Sequence, residues 1–312
     1  MKHRIITSTI VALLCISFQN VTFAALIVED HFYIDPANYT ADATITTTSP
    51  DDTVGYNGTE VWTTTALNNS VDFRARSAGL SYTDGNGASL VVAGGHLDTY
   101  RVGQGGFTKI IHRITADGTT TGKVGDEVWF SILVNTDDAD LGSGERSYFG
   151  WDHKHGSGRE FGIEFNGSNN LLVRAGQPGP GATRDTGLLL EDGTNLIVVR
   201  LADKSTYVDG TGNASNDSIE LFLNPTLGAA PTGVADYRRN SGFMLVQGSH
   251  GGFGFDRTRL FFDLTDNSVL YDEFRLGDTF ADVAPMAVPE PATATLALLG
   301  LGGLMMRRRR NA

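Results

Sequence analysis

The sequence predicts an all-β protein in which one large domain, residues 25–285, lies between two targeting segments. Glycine is abundant, at 38 of 312 residues, and only 19% of the residues are charged. Short apolar runs alternate with clusters of Thr, Asn, Asp and Gly, which is how turns separate strands. No long amphipathic helix is evident, and no linker divides the domain. We therefore expect a single layered sandwich.

The predicted strands follow the chain in order. Residues 26–32 form a β-rich opening run, and residues 71–76 alternate apolar or small residues with charges, as on a half-buried strand. Turn residues at 84–87 lead into an apolar run at 90–95, which predicts a hairpin. Residues 127–135 are apolar on both faces, which predicts a central strand. The other predicted strands are residues 148–151, 160–165, 171–175, 196–201, 219–223, 259–263 and 269–276.

The N-terminal segment, residues 1–24, has the pattern of a Sec signal peptide. Lys2, His3 and Arg4 form a basic start, residues 5–18 form an apolar core, and a signal peptidase pattern ends at Ala24. The only cysteine, Cys15, lies in this core. We therefore expect a mature chain with neither a disulfide nor a cysteine nucleophile.

The C-terminal segment, residues 286–312, combines a turn motif, an uncharged run and a basic end. As a helix, residues 292–306 would extend about 22 Å, less than the roughly 30 Å hydrocarbon core of a bilayer. Arginines favour the cytoplasmic side, so the domain before them is expected outside. The turn motif and the basic end consist of Pro289, Glu290, Pro291, Arg307, Arg308, Arg309 and Arg310.

This arrangement resembles the PEP-CTERM sorting signal of Gram-negative bacteria. The resemblance implies an inner-membrane intermediate held by a short transmembrane helix, followed by recognition and processing by an exosortase. The protein would then reach the cell surface or the extracellular matrix. A plain C-terminal anchor with an arginine stop-transfer signal is the alternative.

The net charge argues against two classes of partner, nucleic acid and anionic lipid surfaces. Without Lys2, Arg4 and the four terminal arginines, the 24 basic residues fall to 18 against 36 acidic ones, a formal charge of −18. Nucleic acid and anionic lipid surfaces repel such a chain. We interpret the acidity as solubility outside the cell rather than as a cation-binding surface.

Four stretches of the domain resemble the LamG-like domains that many PEP-CTERM proteins carry: residues 26–32, 79–84, 224–228 and 271–277. Those domains belong to the concanavalin A-like lectin and glucanase superfamily. The resemblance implies a jelly-roll β-sandwich of two antiparallel sheets. Within the superfamily this fold serves glycan binding, adhesion or glycoside hydrolysis, so the fold does not fix the function.

Glu160 and Glu164 are the candidate catalytic pair. On a strand they share one face, with about 13 Å between their Cα atoms. The laminarinase-like glucanases of the superfamily use Glu-x-Asp-x-Glu, whereas Gly162 occupies the middle position here. Retaining hydrolysis also needs carboxyl groups about 5–5.5 Å apart with separated pKa values. We therefore expect no catalysis, and a glycan hydrolase using these two residues is the alternative.

Two oxygen-rich loops are candidate calcium sites. One contains Asp137, Asp138 and Asp140, and the other contains Asp209 and Asp217. Neither has EF-hand spacing, and such residues also form ordinary turns. A calcium-dependent adhesion module is thus a further alternative.

Three aromatic residues, Trp62, Tyr100 and Trp151, are candidates for stacking on sugar rings. Trp and Tyr are also commonly buried, so core positions are the alternative for each. Together, the sequence predicts an exported, exosortase-sorted protein whose jelly-roll domain binds or structures extracellular polysaccharide without catalysis.

Overall fold

The computed structural model describes the greater part of the predicted domain. It covers residues 26–32, 40–42, 45, 62–66, 71–101, 107–114, 127–136, 146–152, 160–176, 183–202, 218–240, 257–264 and 268–287. The predicted signal peptide and the predicted membrane helix, residues 292–306, lie outside these ranges. Within the ranges, no helix has the length and apolar character needed to cross a membrane.

The described residues form fifteen strands and one short helix, α1 (Phe280–Val283). The strands are β1 (Leu26–Asp30), β2 (Thr63–Ala66), β3 (Val71–Arg76), β4 (His96–Arg101), β5 (Phe107–Ile114), β6 (Glu127–Asn135), β7 (Arg146–Asp152), β8 (Glu160–Asn166), β9 (Asn170–Gly176), β10 (Thr183–Leu189), β11 (Thr194–Ala202), β12 (Ser218–Leu223), β13 (Tyr237–Asn240), β14 (Arg257–Leu264) and β15 (Val269–Gly277).

These strands make two antiparallel sheets. The first sheet has the order β13-β12-β11-β6-β15-β4-β3, and β1 also pairs with β15. The second sheet has the order β10-β9-β8-β7-β14-β5-β2. The predicted all-β jelly-roll sandwich is confirmed.

The main core lies between the two sheets and contains a cluster of aromatic rings. Phe130 and Phe274 come from the first sheet, and Phe149 and Phe161 come from the second. The ring centroids of Phe149 and Phe274 are 4.3 Å apart, and those of Phe130 and Phe149 are 5.9 Å apart. Aromatic contacts of this kind add to the free energy gained by burying apolar area.

Strand β6 is apolar on both faces because both faces are covered. Phe130 and Ile132 face the main core, whereas Trp129 and Leu133 belong to a second buried cluster on the opposite face. The strand lies between β11 and β15, so its predicted central position is confirmed.

We call the residues that cover that opposite face the outer layer: residues 79–95, 224–236 and 278–287. Leu80, Leu90, Leu227, Phe280 and Val283 from this layer join the second cluster. The carboxylate of Asp84 ties two of the segments together, because it accepts the N–H groups of Ala88 and Leu227 at 2.9 and 2.8 Å.

The predicted hairpin at residues 84–95 is confirmed only in its turn. Asp84 N–H donates to the carbonyl of Ala88, and Thr83 forms a bridge with Ser89. Residues 90–95, predicted as a strand, instead cross the outer face of the first sheet with an isolated bridge between Leu90 and Met286. That prediction was wrong because this apolar run covers a sheet rather than extending one.

Candidate functional site

The two ends of the described chain meet in the first sheet. β1 pairs with the second half of β15, with Glu29 opposite Arg275 and Asp30 opposite Phe274. The register between β15 and β6 shifts between Asp272 and Arg275, which marks a β-bulge. Glu273 lies in this bulge with φ of 51°, a conformation that costs free energy for a residue with a Cβ.

A closed ring of four charged side chains forms at the bulge, and we call it the charge ring: Glu29, His31, Glu273 and Arg275. His31 Nε2 lies 2.9 Å from Glu29 Oε1, and its Nδ1 lies 2.7 Å from Glu273 Oε2. Arg275 donates to Glu29 Oε1 at 2.8 Å and to Glu273 Oε2 at 2.5 Å. The Glu273 side chain is fully buried, and His31 is 16% exposed.

The ring holds His31 as an imidazolium. Burial opposes its charge, but the hydrogen bonds to Glu273 and Glu29 outweigh burial and raise the pKa of His31 to about 10. Burial also acts against an ionised Glu29, yet His31 and Arg275 lower the pKa of Glu29 below its ordinary value. The imidazolium and the guanidinium therefore each pair with the carboxyl groups of Glu29 and Glu273, so that neither cation is buried without a counter-charge.

Three members of the ring also have the composition of a metal site. One donor atom each from Glu29, His31 and Glu273 lie within 4.8 Å of one another, and one imidazole with two carboxylates suits zinc. A histidine must be neutral to bind a metal ion. Both ring nitrogens of His31 instead contact carboxylates. The guanidinium of Arg275 also binds both carboxylates. The geometry thus supports an ion-pair fastening rather than a metal centre.

Asp272 connects the bulge to the outer layer. Its carboxylate accepts the N–H groups of Leu80 and Glu273, both at 2.8 Å. Burial and the neighbouring charge of Glu273 raise the pKa of Asp272 well above its ordinary value. Glu273 in turn accepts the N–H of Ala93 at 2.6 Å. The bulge therefore fastens the outer layer as well as β1.

We expect His31→Gln to remove much of the dependence of stability on alkaline pH. The folded-state pKa of about 10 lies above the ordinary 6.5, so the ring's contribution is complete below pH 6.5 and is lost as the pH rises to 10. At about 1.4 kcal/mol per pKa unit, the loss is on the order of a few kcal/mol. Urea unfolding of the wild type and the variant between these pH values measures it.

His96→Gln is the matched control, because His96 lies at the start of β4 outside the charge ring. It should retain the wild-type slope of unfolding free energy against pH. A His31→Gln variant with an unchanged slope would contradict a charged His31.

Glu164, one of the two predicted catalytic carboxylates, lies at the centre of the second sheet. It pairs with Tyr148 on β7 and Leu172 on β9, and only 4% of it is exposed. Arg174 Nη1 lies 3.4 Å from Glu164 Oε2, and its guanidinium carbon lies 5.6 Å from the centre of the Tyr148 ring. Glu164 is therefore a buried ion-pair partner. The backbone of Glu160 pairs with Asp152, and its side chain lies outside the described part of the structure.

Gly162, the middle residue of the incomplete catalytic motif, pairs with Gly150 on the neighbouring strand. The Tyr148 ring fills the space that this glycine pair leaves. A Cβ on Gly162 would lie 2.7 Å from that ring and 2.3 Å from the carbonyl oxygen of Phe149. An Asp at position 162 therefore has no room in this packing.

We expect Gly162→Ala to lower the free energy of unfolding by about 1–3 kcal/mol, because its Cβ would overlap a backbone oxygen that cannot move away cheaply. Chemical denaturation measures the change. Gly233→Ala is the control, since nothing lies within 4 Å of a Cβ there, and it should change stability by less than about 0.5 kcal/mol. Equal effects of the two variants would contradict the tight fit.

The structure places one of the three candidate sugar-stacking rings in the core. Trp62 is 1% exposed and stacks on Phe32 with 6.4 Å between ring centroids, so it offers no face to a sugar. The backbones of Tyr100 and Trp151 lie on β4 and β7, and their side chains are outside the described part. The candidate calcium residues Asp137, Asp138, Asp140, Asp209 and Asp217 are also outside it.

A polar cavity that the sequence did not indicate opens beside the outer layer. Its volume is about 360 Å³, and its lining offers hydroxyl, carboxylate and amide groups. It is lined by Ser81, Tyr82, Thr83, Gly85, Glu191, Thr194 and Asn224. Groups of this kind bind the hydroxyls of small polar ligands. The cavity is built from segments far apart in sequence, so no local sequence motif predicts it.

Comparison with known proteins identifies the C-terminal segment. Residues 287–310 match the PEP-CTERM protein-sorting motif, which indicates an exported protein sorted to the cell envelope. No curated protein sequence matches the chain. The LamG-like assignment stays a prediction.

The fold is similar to several solved structures. One is an endo-β-1,4-glucuronan lyase from Trichoderma reesei, at 14% identity and a TM-score of 0.40 over 72% of this chain and 97% of that one. Another is a pseudo β-1,3-glucanase of Mycobacterium tuberculosis, at 14% identity and a TM-score of 0.39 over 81% of this chain and 99% of that one. A third is a Bacillus licheniformis β-glucanase, at 10% identity and a TM-score of 0.33 over 70% of this chain and 98% of that one. Likeness at this level carries no argument about activity.

Proposed function

We propose that the protein is exported through Sec, held in the inner membrane by residues 292–306, and released by an exosortase to the cell surface or matrix. There its jelly-roll domain binds or structures extracellular polysaccharide without catalysis. The match of residues 287–310 to the sorting motif is the observation that carries the proposal.

Two contacts support a domain without hydrolytic activity. Glu164 is held by Arg174 in a buried ion pair, whereas a general acid needs access to the glycosidic oxygen. The Tyr148 ring fills the space above Gly162, where a tuning carboxylate would have to stand. The carboxylate at position 164 thus has a structural role that accounts for its position.

The polar cavity beside the outer layer supports a binding function. Glu191 is exposed at its edge, and Thr194 is partly exposed. A carboxylate accepts hydrogen bonds from sugar hydroxyls, and a threonine hydroxyl can both donate to them and accept from them. We assign polysaccharide binding to this cavity in the released protein.

We expect replacement of both Glu290 and Pro291 by Ala to leave the full-length protein in the inner membrane, because the exosortase would lose the turn motif that it recognises. Membrane fractionation and immunoblotting of the producing cells measure the distribution. Asn311→Ala lies outside the matched residues and should be released like the wild type. Unaltered release of the double variant would refute the sorting proposal.

We expect the released protein to be retarded by one or more polysaccharides in affinity electrophoresis, with no oligosaccharide produced. Glu191→Ala should weaken retardation by about tenfold to a hundredfold, since a hydrogen bond to a charged group contributes about 1.5–3 kcal/mol. Asp185→Ala, on an exposed part of β10, is the matched control. Oligosaccharide release that Glu164→Gln abolishes would overturn the non-catalytic proposal in favour of the hydrolase.

A further inference from the structure

The chain leaves the described domain at a fixed point in the outer layer. Ala287 N–H donates to the carbonyl of Ser89 at 2.7 Å, and Val91 N–H donates to the carbonyl of Pro285 at 2.9 Å. Met286 forms a bridge with Leu90. The residue that opens the sorting-motif match is therefore hydrogen-bonded to the domain surface.

The tether from this point to the membrane is short. Four residues, 288–291, separate Ala287 from Ala292, where the uncharged run begins, and the five Cα-to-Cα steps between them span at most about 17 Å when fully extended. The headgroup region takes up about 5–8 Å of that length on each side of a bilayer. The exit point consequently lies within about 10 Å of the headgroups while the C-terminal segment is inserted.

The surface around the exit differs in charge from the rest of the chain. We call it the exit face: residues 85–92, 226–235 and 284–287. It contains no Asp, Glu, Lys or Arg, whereas the chain without its targeting cations carries a formal charge of −18. Its segments are in contact, because a Cβ on Gly228 would lie 3.2 Å from Met286 Sδ and Leu90 shares a buried cluster with Leu227.

The acidic residues that border the exit face have their carboxylates engaged by the domain itself. Asp84 binds the N–H groups of Ala88 and Leu227. Asp236 accepts the N–H of Leu223, and Asp282 accepts the N–H and hydroxyl of Thr279. These charges therefore serve as caps and ties between segments.

The exit face also concentrates exposed apolar side chains. Within the described ranges, the exposed large hydrophobic residues are Val91, Leu189, Val234 and Met286, with 44, 58, 93 and 37% exposure. All except Leu189 belong to the exit face, and Leu189 lies on β10 of the second sheet. Clustered exposed apolar side chains suit the interfacial zone of a membrane.

We propose that the exit face rests against the headgroups of the bilayer while the C-terminal segment is inserted, so that the acidic remainder of the domain points away from the anionic membrane. This proposal rests on the membrane-held intermediate of the proposed function. The short tether brings the exit face to the lipid. Because the exit face carries no charge, it avoids the repulsion that the acidic surfaces of the domain would meet at an anionic membrane.

Single-cysteine labelling tests the orientation, because Cys15 is the only cysteine of the chain. In the chain that begins at residue 25 and therefore lacks Cys15, Val91→Cys and, in a separate variant, Leu189→Cys place a fluorophore on the exit face and on the second sheet. The proteins are reconstituted in vesicles of phosphatidylethanolamine and phosphatidylglycerol that contain a nitroxide-headgroup lipid. We expect several-fold stronger quenching at position 91 than at position 189. Thr226→Cys, exposed on another exit-face segment, should behave like position 91.

The outcomes separate the two proposals. Co-flotation with the vesicles combined with equal quenching at positions 91 and 189 would overturn the orientation but leave the anchored state intact. Protein that fails to co-float would remove the anchored state and both proposals with it. Quenching at position 91 that requires added exosortase would assign the exit face to that enzyme and overturn contact with lipid.

Discussion

The charge ring is the interaction on which the rest of the domain depends, because it joins the first described strand of the domain, β1, to the last, β15. His31 and Glu273 are 242 residues apart in sequence, and their hydrogen bond lies next to a bulge in a strained backbone conformation. β15 lies between β6 on one side and β1 and β4 on the other. The first sheet therefore cannot close until nearly the whole domain has been delivered, and such long-range pairing is slow.

The ring and the outer layer together replace the covalent links that many exported domains use. Residues 25–312 contain no cysteine, so the stability of the domain depends on burial and on paired charges. Breaking one member of a buried ion pair leaves an uncompensated charge, which costs more than the pair itself contributes. Glu273 is fully buried and binds His31, Arg275 and the N–H of Ala93. The same side chain therefore fastens β1 and the outer layer, so damage at this point would loosen both.

The sequence predicted those elements whose patterns are local. The prediction of β6 was correct because apolar residues on both faces of a strand indicate that both faces are covered. The prediction of the turn at Asp84 was correct because the residues that form it are adjacent in sequence. The charge ring was missed because its members lie at opposite ends of the chain, and the bulge at Glu273 breaks the alternation that would show which side chains share a face. β10 and β13 were missed because they are outermost strands rich in polar residues, which protects sheet edges but hides a strand pattern.

The stretches that carry the LamG-like resemblance converge on one region and do structural work there. Residues 26–32 and 271–277 form the charge ring, residues 79–84 bind the bulge through Leu80, and residues 224–228 bind Asp84 through Leu227. A resemblance built on these stretches therefore reports how the sandwich is held together. It does not by itself report what the domain binds, because the polar cavity combines Ser81, Tyr82, Thr83 and Asn224 from these stretches with Gly85, Glu191 and Thr194 from outside them. The fold and the sorting signal can therefore be understood independently of any ligand.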